Sequence, residues 1–133
     1  MTFNKQIKPT ESELEILNIL WDIQRGTVRE VHDILERSKD AGYTTTLKLM
    51  QIMHDKGLLK RDSSAKSHVY EAAISKEQTQ GQIVQRMIDT VFNGSAMQMV
   101  MQALGNHATG KEELDQIKAY LEEMERKEKK NNK

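Results

Sequence analysis

The polar residues of this chain that are spaced to act together are hydroxyls, an amide and bases. Thr44, Thr45, Lys48 and Gln51 fall within about two turns of one predicted helix, Tyr43 sits just before it, and Lys60, Arg61 and Lys66 follow it closely. At about 100° per residue, Thr44, Lys48, Gln51 and Asp55 project from one side of that helix, flanked by Thr45, Leu47 and Ile52. Thr46, Leu49, Met50 and Met53 project from the other. A threonine hydroxyl can donate to or accept from a base edge and its methyl can touch a thymine methyl. A lysine reaches guanine acceptors or phosphate, and a glutamine suits adenine. A helix start also presents free N–H groups to an anion. Lys60, Arg61 and Lys66 suit phosphate, a contact that fixes register without reading sequence. Each residue has a plainer reading as well. Thr44 serves equally as a helix cap, Lys48 as a solvated lysine, and Tyr43 either packs on the core or touches backbone phosphate.

Other chemistries find little support. His32, His54, His68 and His107 are far apart and lack metal-ligand spacing. His54 and Asp55 are adjacent, so a helix points them about 100° apart. There is no Gly-rich phosphate loop and no Gly-x-Ser-x-Gly. The absence of Cys removes disulfides, thiolate metal sites and thiol nucleophiles together, and fits a reducing cytoplasm. Catalysis, a bound metal and a cofactor are therefore not expected. Net charge is zero, but it is unevenly spread. Between residues 37 and 69, seven bases (Arg37, Lys39, Lys48, Lys56, Lys60, Arg61, Lys66) face three acids (Asp40, Asp55, Asp62), a local excess of four. Residues 10–36 are acid-rich and offset it. A basic stripe on a neutral protein still attracts phosphate, because the local field matters more than the total.

The elements that position these residues are short and closely joined. Thr10 and Glu13 form a capping-box pattern, and Leu14, Leu17 and Trp21 recur at helical spacing, which predicts a helix over 10–22. Gly26 breaks it. Thr27 and Glu30 form a second capping box, and Val28, Val31, Ile34 and Leu35 stripe a helix to about Arg37. Thr44 is read as the cap of a third helix that runs to Lys56 and ends at Gly57. Leu58–Arg61 and His68–Ala73 then read as strands of a basic-tipped hairpin. Three helices followed by such a hairpin is the element order of a winged helix-turn-helix, in which the second helix of the pair enters the major groove.

Three more helices follow. Ser75 with Gln78 caps one that carries Val84, Met87, Ile88, Val91 and Phe92. Ser95 starts a short one with Met97, Val100, Met101 and Leu104. Thr109 and Glu112 form a capping-box pattern before Leu114, Ile117, Leu121 and Met124, whose spacing suits packing against another helix. Their apolar faces cannot close a core alone. They either fold back on the first domain or pack on a second copy, and four Met between 97 and 124 suit an adaptable helical interface. From Glu125 the chain is charged and polar and reads as a frayed tail. No apolar run is long enough to span a bilayer, and Met1 to Thr10 shows no leader's apolar stretch.

Pro9-Thr10-Glu11 with Leu14, Leu17 and Leu20-Trp21 opens the chain. Thr27-Val28-Arg29-Glu30-Val31, Tyr43-Thr44-Thr45, Lys56-Gly57-Leu58-Leu59 and Val69-Tyr70 follow in order. In this order they resemble the BlaI/MecI/CopY family of repressors, over about residues 7–124. The resemblance implies a homodimeric repressor on a palindromic operator. It also implies relief of repression by proteolysis, driven in the penicillinase branch by a membrane sensor metalloprotease. The family often has Thr where this chain has Lys48 and Arg where it has Ile52, so the operator sequence does not carry over. Members of the copper-responsive branch carry C-terminal Cys pairs, which this chain lacks. The Asn-Phe bond cut in the penicillinase branch corresponds in position to Gln102-Ala103. The expected architecture is mainly α with a small β-hairpin. A winged helix-turn-helix DNA-binding domain occupies 1–74, a three-helix dimerisation segment 75–124 and the charged tail 125–133. The rival reading is a winged-helix module that binds protein and not DNA.

Overall fold

Two capping boxes start the first two helices. Thr10 Oγ1 accepts from the Glu13 amide at 3.2 Å while Glu13 Oε1 accepts from the Thr10 amide at 2.9 Å. Thr27 and Glu30 repeat the exchange at 3.2 and 2.8 Å. Each pair satisfies two backbone donors that a helix start leaves without partners. The computed structural model describes residues 8–131. Its elements are α1 (Glu11–Ile23), α2 (Val28–Leu35), α3 (Tyr43–Asp55), β1 (Leu59–Asp62), β2 (Val69–Ala72), α4 (Lys76–Thr90), α5 (Ala96–Asn106) and α6 (Lys111–Asn131). Residues 1–7 of the stretch read as leaderless lie outside the described residues, as do Asn132 and Lys133 of the tail.

The chain divides into two compact units, one reaching to Ile83 and one beginning at Val84. The division falls inside α4, and Thr79 on the first turns of that helix is buried. In the first unit, Ile16, Leu17 and Leu20 of α1 meet Val28 and Val31 of α2 and Met50 and Met53 of α3. Leu58, Leu59 and Tyr70 close this core from the hairpin side. Each such side chain contributes about 1.5–3 kcal/mol on burial. The hairpin is antiparallel, with Leu59 opposite Ala72 and Asp62 opposite Val69. Gly26 joins it by exchanging backbone hydrogen bonds with Tyr70 at 2.9 and 2.8 Å. A Cβ at Gly26 would stand 2.9 Å from Ile23 Cδ1, so the end of that side chain would have to shift to admit a larger residue. Trp21 Nε1 donates to the Ile74 carbonyl at 3.0 Å and ties α1 to the chain leaving β2.

The caps of two helices differ from expectation. The cap of α3 lies two residues earlier than expected, at Gly42, which is extended and makes no side-chain cap bond. The Gly42 carbonyl takes the Thr46 amide at 3.1 Å, which makes Thr44 a first-turn residue and not the cap. At the other end the expected stop holds. Gly57 has φ +86°, its amide bonds the His54 carbonyl, and the Leu58 amide bonds the Met53 carbonyl. That last bond delays β1 to Leu59. In α6, Gly110 and not Thr109 supplies the first accepting carbonyl, to Leu114, while the Thr109 hydroxyl donates to the His107 carbonyl.

The second unit buries none of its large apolar side chains. Met97 is 72% exposed, Val91 69% and Met101 67%, while Ile88 and Ile117 are half-buried. Val84, Met87, Val100, Leu104, Leu114, Leu121 and Met124 are exposed as well. α6 runs to Asn131, past Glu125, where the charged composition had suggested fraying. Glu, Lys and Arg are strong helix formers, and pairs such as Glu123 with Arg126 support the last turns.

Candidate nucleic-acid interface

α3 is held at both ends by polar contacts, a buried one at its start and a partly buried one at its C-cap. At its start, His32 of α2 is buried with Nδ1 2.9 Å from Thr46 Oγ1 and Nε2 3.2 Å from a Glu36 carboxylate oxygen. At its end, Lys56 Nζ donates to Glu13 Oε2 at 2.6 Å across to α1. Burial raises the Glu13 pKa, but hydrogen bonds from Lys56 and Thr10 and the Lys56 charge outweigh it and hold the carboxyl below its ordinary value. These clamps set the rotation of α3 about its axis. Thr46, Met50 and Met53 face inward, and Thr44, Thr45, Lys48, Gln51, Ile52 and Asp55 face outward.

Tyr43 has a mixed environment. Its ring meets the His32 ring edge-on at 5.5 Å, and the Arg29 guanidinium lies over it at 4.2 Å, yet 36% of the residue stays exposed. Beside it opens a cleft of about 300 Å³ between the start of α2, the outer side of α3 and the hairpin. Tyr43, Gln51 and Lys66 line it together, so three residues picked from the sequence converge there. Arg29, Ser67 and His68 line it too and had not been picked. The signal for Arg29 was present in Thr27-Val28-Arg29-Glu30-Val31, where the two valines turn inward and leave the arginine outside. Thr44, Thr45 and Lys48 lie on the outer face of α3, and Lys60 and Arg61 on the hairpin, all outside the cleft lining.

The basic stripe is smaller than its composition. Lys39 pairs with Glu15 at 2.7 Å and Lys56 with Glu13, so two of the seven bases are used within the fold. Arg37, Lys48, Lys60, Arg61 and Lys66 form no ion pair with another described residue. The hairpin carries one acid among its bases. Asp62 Oδ1 accepts from the Ser64 amide at 2.9 Å and Oδ2 lies 3.5 Å from Arg25. The Ser64 amide first, then Arg25, hold this carboxyl below its ordinary value, and the pair ties the hairpin to the α1–α2 link. Among the described residues no cluster of three or more His, Cys, Asp or Glu is placed to hold a metal ion. Nor is any helix long and apolar enough to cross a membrane. An exposed helix face of hydroxyls, an amide and an ammonium, beside unpaired bases on a hairpin, can read base edges and grip phosphate.

Residues 9–123 match the profile of a family described as Penicillinase repressor. A penicillinase repressor of Staphylococcus aureus is 18% identical over 124 residues, spanning 93% of this chain and 98% of that protein. The methicillin resistance regulatory protein MecI of Staphylococcus aureus strain N315 is 19% identical over 118 residues, spanning 89% of this chain and 96% of that protein. MecI of Staphylococcus epidermidis matches to the same extent.

Proposed function

Because the chain belongs to the penicillinase repressor family, whose members are transcriptional repressors, we propose that it binds a palindromic operator sequence-specifically as a homodimer in the cytoplasm. The observation that carries this is the outward face of α3. Thr44, Thr45, Lys48 and Gln51 are all exposed while the opposite face is locked into the core. With Gly42 as the cap, the Thr44 hydroxyl is not committed to the helix start. α3 lies in the major groove with its N-terminal residues on base edges. Lys60, Arg61 and Lys66 on the hairpin, and Arg29 beside the cleft, contact phosphate, and Tyr43 sits at that boundary.

Dimerisation rests on the apolar faces of α4 to α6. They carry Val84, Met87, Ile88, Val91, Met97, Val100, Met101, Leu104, Leu114, Ile117, Leu121 and Met124, and none of these is buried within one chain. An exposed apolar surface of this extent marks an interaction site. Release from DNA follows from cutting α5 at Gln102-Ala103 by a protease under a membrane sensor. Both residues are exposed, and cleavage there would split the dimerisation unit from within.

The test is selection of bound duplexes from a random pool by the intact protein, followed by gel shift of the selected sequence. Lys48→Ala should lower affinity for that duplex by about 1–3 kcal/mol per half-site and relax the preference at one base pair. Its thermal unfolding should match the unsubstituted protein, since Lys48 is exposed. Unchanged affinity on the selected duplex means that α3 does not enter the groove this way.

A further inference from the structure

We propose that Ile52 is a specificity-determining residue whose side chain packs on the C5-methyl of a thymine in each half-site. The proposal rests on the operator-binding reading above. A single apolar side chain on a protein surface is ordinary; the position of this one is not. Ile52 is 41% exposed and belongs neither to the buried core nor to the apolar residues packed against it. It follows Thr45 and Lys48 in one row along the outer side of α3, seven and four residues on. Every other exposed residue within α3 apart from Tyr43 at its start is polar or charged: Thr44, Thr45, Lys48, Gln51 and Asp55. Helix formation gives no reason for the choice, because a β-branched residue is a poorer helix former than Leu, Lys or Gln. Ile52 lies about 6 Å along the helix axis beyond Lys48, so it addresses bases that Lys48 does not.

The major groove offers hydrogen-bonding atoms on all four bases and one apolar group, the thymine methyl. An isoleucine has no donor or acceptor. Set against any other base edge it would strip water from polar atoms and return nothing, a cost that excludes those bases. Set against the methyl, it buries apolar surface on both sides. Ile52 therefore selects in two ways, by attraction to thymine and by rejection of the rest.

The experiment uses the intact protein and the duplex that it selects from a random pool. Each thymine of a half-site is replaced in turn by uracil, which removes only the methyl. One position should lose about fourfold in affinity in a single half-site and about fifteenfold in both, the worth of one buried methyl-sized group. Ile52→Ala should abolish the thymine-over-uracil difference at that position alone, while Lys48→Ala should keep it. Circular dichroism and thermal unfolding of Ile52→Ala should match the unsubstituted chain, since the side chain is outside the core. If no thymine in the selected duplex is uracil-sensitive, or if the sensitivity survives in Ile52→Ala, the assignment of Ile52 is wrong while operator binding stands. If the protein selects no duplex at all, operator binding itself is wrong and the role of Ile52 goes with it.

Discussion

Replacing Lys66 by Gln removes one charge per protomer from the hairpin and disturbs nothing that the fold uses. Lys66 is exposed, pairs with no acid among the described residues, and lines the cleft with Tyr43, Gln51 and Arg29. If its ammonium sits on a phosphate in the complex, each protomer releases one fewer counterion after the substitution. The slope of log affinity against log salt should then become less negative by about 1.8 for a dimer. From 50 to 200 mM salt, the unsubstituted protein would lose about twelvefold more affinity than Lys66→Gln. The assay is fluorescence anisotropy of a labelled duplex across that range, with the selected sequence and a scrambled one measured in parallel. Both duplexes should lose affinity alike at low salt, because a phosphate contact carries no sequence information. An unchanged slope would show that the hairpin is not seated on the backbone. A shift in preference between the two duplexes would mean that Lys66 touches base edges instead.

Ile117 and Leu121 occupy the middle of the α6 apolar row, half-buried and exposed respectively. If these rows pair two copies as proposed, replacing both with Asp should give monomers by light scattering and leave the first unit folded by circular dichroism. An unchanged mass would show that these side chains do not hold two copies together. Glu13→Gln should cost about 1.5–3 kcal/mol at neutral pH through the lost bond to Lys56. The Glu13 carboxyl is depressed below its ordinary 4.5 in the folded state, so its stabilisation is present above pH 4.5 and disappears as the pH falls through the folded-state value. Urea midpoints of the two proteins should therefore converge below pH 4.5. Parallel curves down to the acid limit would show that the pair does not stabilise the fold.

Much of the first unit was legible because its signals are local. A Thr with a Glu three residues on, at Thr10 and again at Thr27, marks a helix start through bonds made within one turn. Gly57 marks an end through its positive φ. The alternation of Thr46, Met50 and Met53 with Lys48 and Gln51 told the inner from the outer side of α3. The errors came where neighbours in space replaced neighbours in sequence. Thr44 looked like a cap, but Arg29 and His32 hold Tyr43 at the head of the helix and Gly42 takes the cap position. Glu13 and Lys56 are 43 residues apart and nothing local pairs them. The cleft that gathers Arg29, Gln51, Lys66 and His68 depends on a hairpin folding back beside two helices. The charge count overstated the free bases, since Glu13 and Glu15 occupy Lys56 and Lys39.

The order of elements, the identity of the outward-facing helix side chains and the apolar rows of α4 to α6 were determined by the sequence alone; that those rows are not buried within one chain was decided by the structure. Periodicity and capping act over three or four residues and need no distant partner. The rotation of α3, the residues that join Tyr43 at the cleft and the bases left unpaired were decided only by the tertiary structure. Each of these is a contact between groups far apart along the chain, and long-range closure, unlike a helical repeat, leaves no period to read.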